Sequence, residues 1–115
     1  MTELIIKKSR FIAFCTDIEN ETQAKTFIDR IKKEHKRSRH TVYAYVTGGR
    51  KKCYDDGEPG GTAGLPVLNA IRRRELNNIA VVVVRYFGGI LLGKDELMRA
   101  YGKAAGSELD LYLKG

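Results

Sequence analysis

Only two cysteines and two histidines occur in the 115 residues, and that scarcity removes several classes of protein at once. Cys15 and Cys53 stand in no metal-ligand or redox spacing, so the chain is not organised by a disulfide framework or a zinc site. At this length a single domain can bury its own core without such staples. Apolar runs are short as well. The longest, Ile79 to Val84, falls far below the ~18 residues of a membrane-spanning helix. The N-terminal MTELIIKKSRF places its charges after a brief apolar patch, unlike a secretory signal, so the expected location is cytoplasmic and no membrane partner is expected. No repeat, linker or low-complexity segment interrupts the sequence.

Motifs for common chemistries are missing too. No Lys-Ser/Thr pair follows the glycines, which excludes a P-loop, and Gly88, Gly89 and Gly93 are out of register for a dinucleotide fingerprint. No serine, histidine and carboxylate can be assembled into a triad by spacing. Cys15 lies in an apolar strand-like run and reads as a buried thiol. Cys53 sits beside Lys52, where charge favours a lower pKa, yet nothing else marks it as a nucleophile.

What the chain has in excess is positive charge: 21 Lys and Arg against 14 Asp and Glu, a formal net charge of +7. Such a surplus favours polyanions, nucleic acid above all, through release of counterions. Arg30, Lys32, Lys33, Lys36, Arg37 and Arg39 crowd one stretch with Glu34 as the lone acid among them. They are nucleic-acid-binding candidates, set against the plainer reading of a solvated basic face. Lys7, Lys8, Arg10, Lys51 and Lys52 would extend this surface if the strands bring them together.

Periodicity outlines the elements. Glu3–Ile6 and Arg10–Thr16 read as strands turning near Lys7-Lys8. Asn20 and Gln23 form a capping box for a helix with Ala24, Phe27, Ile28 and Ile31 on one face, running to about Lys36. His40–Thr47 alternates as a strand, and Gly48-Gly49 leads into a short strand, Arg50–Tyr54. LPVLNAIRRREL reads as a second helix with Pro66 in its first turn. There Val67, Leu68, Ile71 and Leu76 face inward and Arg72, Arg73 and Arg74 outward. The β-branched run Ile79–Val84 fits a central strand. A last helix starts near Asp95 or Glu96, with Met98, Tyr101, Ala105, Leu109 and Tyr112 as its core stripe. The implied class is α+β, a two-layer sandwich of a mixed sheet with helices on one face.

Two glycine-rich loops, Tyr54–Gly64 (YDDGEPGGTAG) and Arg85–Leu97 (RYFGGILLGKDEL), each open onto a helix. Asp55, Asp56 and Glu58 supply clustered carboxylates, suited either to a hard cation or to turn amides and neighbouring cations. Gly60, Gly61, Thr62, Ala63 and Gly64 offer a phosphate cradle at a helix N-terminus or a tight packing of loops. His40 is the lone candidate for a titrating group, against a structural role beside tyrosines. Arg85 and Tyr86 leave the buried strand where they would meet phosphate and base.

These loops, with Leu97–Tyr101, the opening KSRFIA (Lys8–Ala13) and His40 with Tyr43-Ala44-Tyr45, resemble the signature segments of the IMPACT family. The resemblance covers almost the whole chain, in order. It implies the fold of domain IV of elongation factor G and of the second domain of a small-subunit ribosomal protein. It implies one N-terminal IMPACT-type domain over residues 1–115, without the ferredoxin-like second domain usual in bacterial relatives. Eukaryotic relatives join this domain to an RWD domain that interferes with the amino-acid-starvation kinase. The implied function is a noncatalytic, translation-associated regulator binding RNA or the ribosome, with no cofactor, no catalytic residue and no resident metal. A protein partner in translation control is the companion expectation. The alternatives are a metal-assisted hydrolase built on Asp55, Asp56 and Glu58, or a protein-interaction module. Asp55, Asp56, Glu58, Thr62, Arg85 and His40 carry over as surface-site candidates. Leu91 stands where the family commonly has lysine, and Asp95-Glu96 where it tends to have glycines. Both changes disfavour phosphate at the second loop.

Overall fold

The computed structural model describes all 115 residues. Chain order is β1 (Thr2–Ile6), β2 (Ser9–Asp17), α1 (Glu21–Glu34), β3 (His40–Thr47), β4 (Arg50–Tyr54), α2 (Gly64–Arg73), β5 (Ile79–Tyr86) and α3 (Lys94–Lys114). The strands form one sheet in the order β1-β2-β5-β3-β4. The apolar run of β5 therefore lies at its centre, as its lack of any polar alternation requires. Every pairing is antiparallel rather than mixed. Lys7 and Lys8 make the first hairpin turn with both φ angles positive, the backbone that suits the right-handed strand twist.

The α+β class holds, but the layering differs from helices on one face. Alternate residues of β5 point opposite ways, and each set meets different helices. Val81 and Val83 join Phe11, Val42 and Ala44 under α2 and α3. Val82 and Val84 join Ile12 and Tyr45 under α1. The helices thus sandwich the sheet. Topology gives the reason. α1 carries the chain from β2 over β5 to β3, and α2 carries it from β4 over β3 to β5. Strand directions make these two crossovers equivalent by rotation in the sheet plane, so crossovers of the same hand would share a face. They lie on opposite faces, hence one is left-handed, against the strong general preference.

Within the helices, Asn20 accepts from the Gln23 amide at 2.9 Å, and Gln23 reaches back to the amide of Glu19 rather than of Asn20. α2 stops at Arg73, earlier than the sequence suggests. Arg74 folds inward onto Ala70 carbonyl and Asp110 instead of projecting into solvent. In α3 the buried stripe begins at Leu97 and includes Ala100, Tyr101, Ala104, Ala105 and Leu109, while Met98 and Tyr112 are exposed. Leu97 lies in the first turn of α3 and takes the inward position that Met98 would have filled. β4 is exposed along its length, and its Arg50, Lys51 and Lys52 guard this open edge against pairing with another chain. No helix is long and apolar enough to cross a membrane.

Candidate functional site

The first glycine loop is built around Asp55. Its carboxylate accepts from the amides of Gly61 (3.0 Å), Ala63 (3.2 Å) and Gly64 (2.8 Å). The Thr62 amide and hydroxyl both turn back to the Pro59 carbonyl. The donors that a phosphate would use at the start of α2 are therefore already satisfied by the loop's own oxygens. Asp56, one residue on, adopts a positive φ and accepts from the Thr41 amide at 2.5 Å. Gly64 allows the loop to close: a Cβ there would lie 2.6 Å from the Tyr54 nitrogen.

Glu58 turns the other way, into the protein. It is 7% exposed, and Arg85 is 6% exposed. Arg85 Nη1 donates to both Glu58 oxygens, at 3.0 and 2.8 Å. Its Nε and Nη2 donate to Ser9 Oγ, while the Gly88 amide donates to the same oxygen at 3.3 Å. Tyr101 donates to Glu58 Oε2 at 2.5 Å. Burial, then the bond to Glu58, pushes the Tyr101 phenol far above its ordinary range, which keeps it a donor at any physiological pH. His40 Nδ1 lies 2.7 Å from the Asp56 carbonyl, which can only accept, so Nδ1 bears hydrogen. Nε2 stands 3.4 Å from Glu58. Arg85 also faces the rings of Phe11 and Phe87, and Phe11 meets Tyr101 edge-on. Placing the cation on the core-facing side of β5 obliges the fold to supply an anion, because an unpaired buried charge is very costly.

Asp55, Asp56, Glu58, Thr62, His40 and Arg85 are thus brought to one place, but Glu58, Thr62 and Arg85 are buried rather than displayed. Arg85 does not reach out toward a phosphate; it ties the two glycine loops together. The three carboxylates engage separate partners, and no group of three His, Cys, Asp or Glu could hold a metal ion. Ser9 and Tyr101 belong to the cluster although the sequence reading passed over Ser9 and took Tyr101 as core alone. A signal was present: Ile79, Val81, Val83 and Arg85 share one face by alternation, so an inward arginine with polar partners was readable. In the second loop, Glu96 accepts from the Gly93 amide at 3.0 Å and from Lys7, which occupies the helix start with an acid.

The cysteines are spectators. Burial, then Glu108, pushes the Cys15 thiol up to about 12, and the exposed Cys53 is raised by partial burial and by Asp55 rather than lowered by Lys52.

The cationic segment lies open. Arg30, Lys32, Lys33, Lys36, Arg37 and Arg39 are all exposed, and their one acidic contact is Arg30 with Glu34 at 3.9 Å. His35 Nδ1 meets the Tyr86 hydroxyl at 2.6 Å, fastening the end of α1 over the end of β5. The Arg39 amide donates to the Arg85 carbonyl, and its guanidinium sits 4.9 Å from the centre of the Phe87 ring. A cleft of about 260 Å³ opens here, between Arg39, His40 and Glu58 on one side and Phe87, Leu91 and Leu92 on the other. Lys7, Lys8 and Arg10 do not unite with Lys51 and Lys52, because β1-β2 and β4 lie at opposite ends of the sheet. Lys7 and Arg10 are already paired with Glu96 and Glu3.

Known proteins share this architecture. The model of the Impact N-terminal domain matches residues 7–109. An IMPACT family member of Bacillus subtilis, YvyE, is 46% identical over 111 residues, covering 94% of this chain and 51% of that protein. YigZ of Escherichia coli is 43% identical, covering 84% and 50%. The chain spans about half the length of these curated relatives. A solved structure described only as a hypothetical protein superposes with a TM-score of 0.90 at 39% identity, over 95% of this chain and 56% of that one. The structure of Yih1, a two-domain translational regulator, shares the fold at a TM-score of 0.56 and 24% identity, over 93% and 45%. With the sheet order, the paired glycine loops and this match over nearly the whole chain, the protein belongs to the IMPACT family, residues 7–109 matching the family's N-terminal domain.

Proposed function

We propose that this domain is a noncatalytic, cytoplasmic, translation-associated regulator that binds RNA or the ribosome through the cationic end of α1 and the adjoining second loop. One observation carries the reading: six exposed cations in ten residues, with a single long acidic contact among them. Exposed cations in the last turns of α1 and the turn that follows it exchange condensed counterions for phosphates. The Arg39–Phe87 stack, of a kind worth about 0.5–1 kcal/mol at an exposed site, holds a guanidinium at the mouth of a cleft where an unstacked base can lie against it. Membership of the family, and the role stated for Yih1, support a place in translation. Catalysis draws no support from the acids, since Asp55 caps backbone amides and Glu58 is saturated by Arg85 and Tyr101.

Ribosome co-sedimentation across a potassium chloride series tests this. Binding is expected to fall steeply with salt, and the Arg30→Glu/Lys33→Glu/Arg37→Glu variant to bind weakly with a flatter salt dependence. Undiminished binding by that folded variant would defeat the reading. Salt-insensitive binding would point instead to a protein-interaction module.

A further inference from the structure

A second cationic surface lies on the opposite face of the sheet, where α2 and α3 run side by side. A groove of about 450 Å³ opens between them, lined by Arg73 and Asn69 from α2 and by Arg99 and Lys103 from α3, with Pro66 and Met98 as its apolar part. None of its lining residues is acidic. Arg73, Arg99 and Lys103 are exposed and enter no ion pair. Of the acids nearby, Glu96, which also feels Arg99, is bound to Lys7 and Gly93, and Asp110 is held by Arg74. Asp95, one turn before Arg99 on α3, and Glu75, beyond the end of α2, lie outside the groove lining.

The groove follows from helix geometry. Arg99 and Lys103 stand four residues apart on α3 and so share one face, as do Asn69 and Arg73 on α2. Gly102, between the two cations of α3, has no side chain to fill the floor; a Cβ there would only just touch Pro66, at 3.7 Å. Three cations therefore ring a low floor whose apolar wall includes Met98, a core position in the sequence reading that the fold leaves 42% exposed. The volume lies within the ~300–1,000 Å³ typical of ligand clefts, roomier than a lone inorganic anion needs. Cations around an apolar floor match a nucleotide unit, with phosphate on Arg73, Arg99 or Lys103 and base against Met98 and Pro66. An acidic peptide would satisfy the cations but leave the floor unused.

We propose that the α2–α3 groove is a second binding site for single-stranded RNA, separate from the α1 surface, so that the domain sits between two RNA segments. This rests on the RNA-binding reading above and adds a site on the far side of the sheet. Because α1 and the α2–α3 pair cover opposite faces, one short strand cannot occupy both.

The test is stoichiometry with a fluorescent oligo(U) too short to wrap the domain, titrated at low salt against the full chain. Two sites are expected in the wild type. Arg73→Glu/Lys103→Glu should leave one, Lys32→Glu/Lys33→Glu should leave the other, and the quadruple variant should leave none. Arg73→Gln/Lys103→Gln should act in the same direction, with the magnitude of the salt slope of groove binding reduced by about 0.7 for each lost phosphate contact. Thermal melts matching the wild type confirm that the variants are folded. A single wild-type site abolished by the α1 change and untouched by the groove change would overturn the groove proposal and leave the α1 reading standing. A single site abolished only by the groove change would overturn the α1 reading and the two-site claim together. A groove change that weakens a polyglutamate probe but not oligo(U) would assign the groove to an acidic protein and overturn the RNA assignment. Absence of any oligo(U) binding at low salt would overturn both.

Discussion

Replacing Glu58 with glutamine strips the charge from a buried carboxylate that takes two bonds from Arg85 and one from Tyr101. The side chains of Arg85 and Glu58 are 7% and 4% exposed, so water cannot step in to compensate. Breaking a buried pair while leaving one charge behind costs about 3–5 kcal/mol. Domains of this kind have a total stability of about 5–15 kcal/mol, so Glu58→Gln should remove a large fraction of it. The glutamine oxygen can still accept one bond, which places the expectation toward the lower end of that range. Guanidinium denaturation followed by far-UV circular dichroism gives the value; the chain has no tryptophan, so backbone signal is the better probe. The decisive companion is the cycle with Arg85→Met. Removing both charges leaves no uncompensated ion, so Glu58→Gln/Arg85→Met should be less destabilised than the sum of the single changes by at least ~1 kcal/mol, the coupling expected of contacting residues. Additive losses, or a Glu58→Gln cost below ~1 kcal/mol, would refute the claim that this pair locks the two loops.

Other consequences are equally direct. Gly88→Ala would place a methyl 2.1 Å from the Lys8 carbonyl and should cost about 1–3 kcal/mol as the loop is forced aside. Gly102→Ala makes an ordinary contact and should raise the melting temperature through a gain of about 0.4–1 kcal/mol. At alkaline pH the native state holds protons that the unfolded chain releases, because burial raises both Tyr101 and Cys15. Their contribution is intact below the unfolded values. It is lost for Cys15 as pH climbs from 9 toward about 12, and for Tyr101 above 10. Stability measured from pH 8 upward should therefore decline from about pH 9, with a shallower slope in Cys15→Ala; a slope unchanged by that substitution would count against the assignment. Iodoacetamide should alkylate the exposed Cys53 well before Cys15, read by mass spectrometry of the intact and digested protein.

Much of the architecture was legible in local pattern. The alternation at His40–Thr47, the unbroken apolar run at Ile79–Val84, the Asn20–Gln23 cap and the stripe of α1 all follow from short-range stereochemistry, which a sequence states directly. The ordered signature segments likewise pointed to the family. The cationic cluster at Arg30–Arg39 was readable because exposed charge needs no tertiary partner to be charged. Tertiary structure decided the rest. Periodicity shows that a helix has a buried face but not which side of the sheet receives it, so the left-handed crossover and the second helical layer lay outside its reach. The same limit hid the groove between α2 and α3, whose cations come from separate helices. Above all, Glu58 and Arg85, 27 residues apart, looked like surface chemistry. Strand alternation already points Arg85 to the face of Val81 and Val83. Only the fold shows that α2 and α3 cover that face and that the first loop brings Glu58 beside it, as low-dielectric surroundings demand.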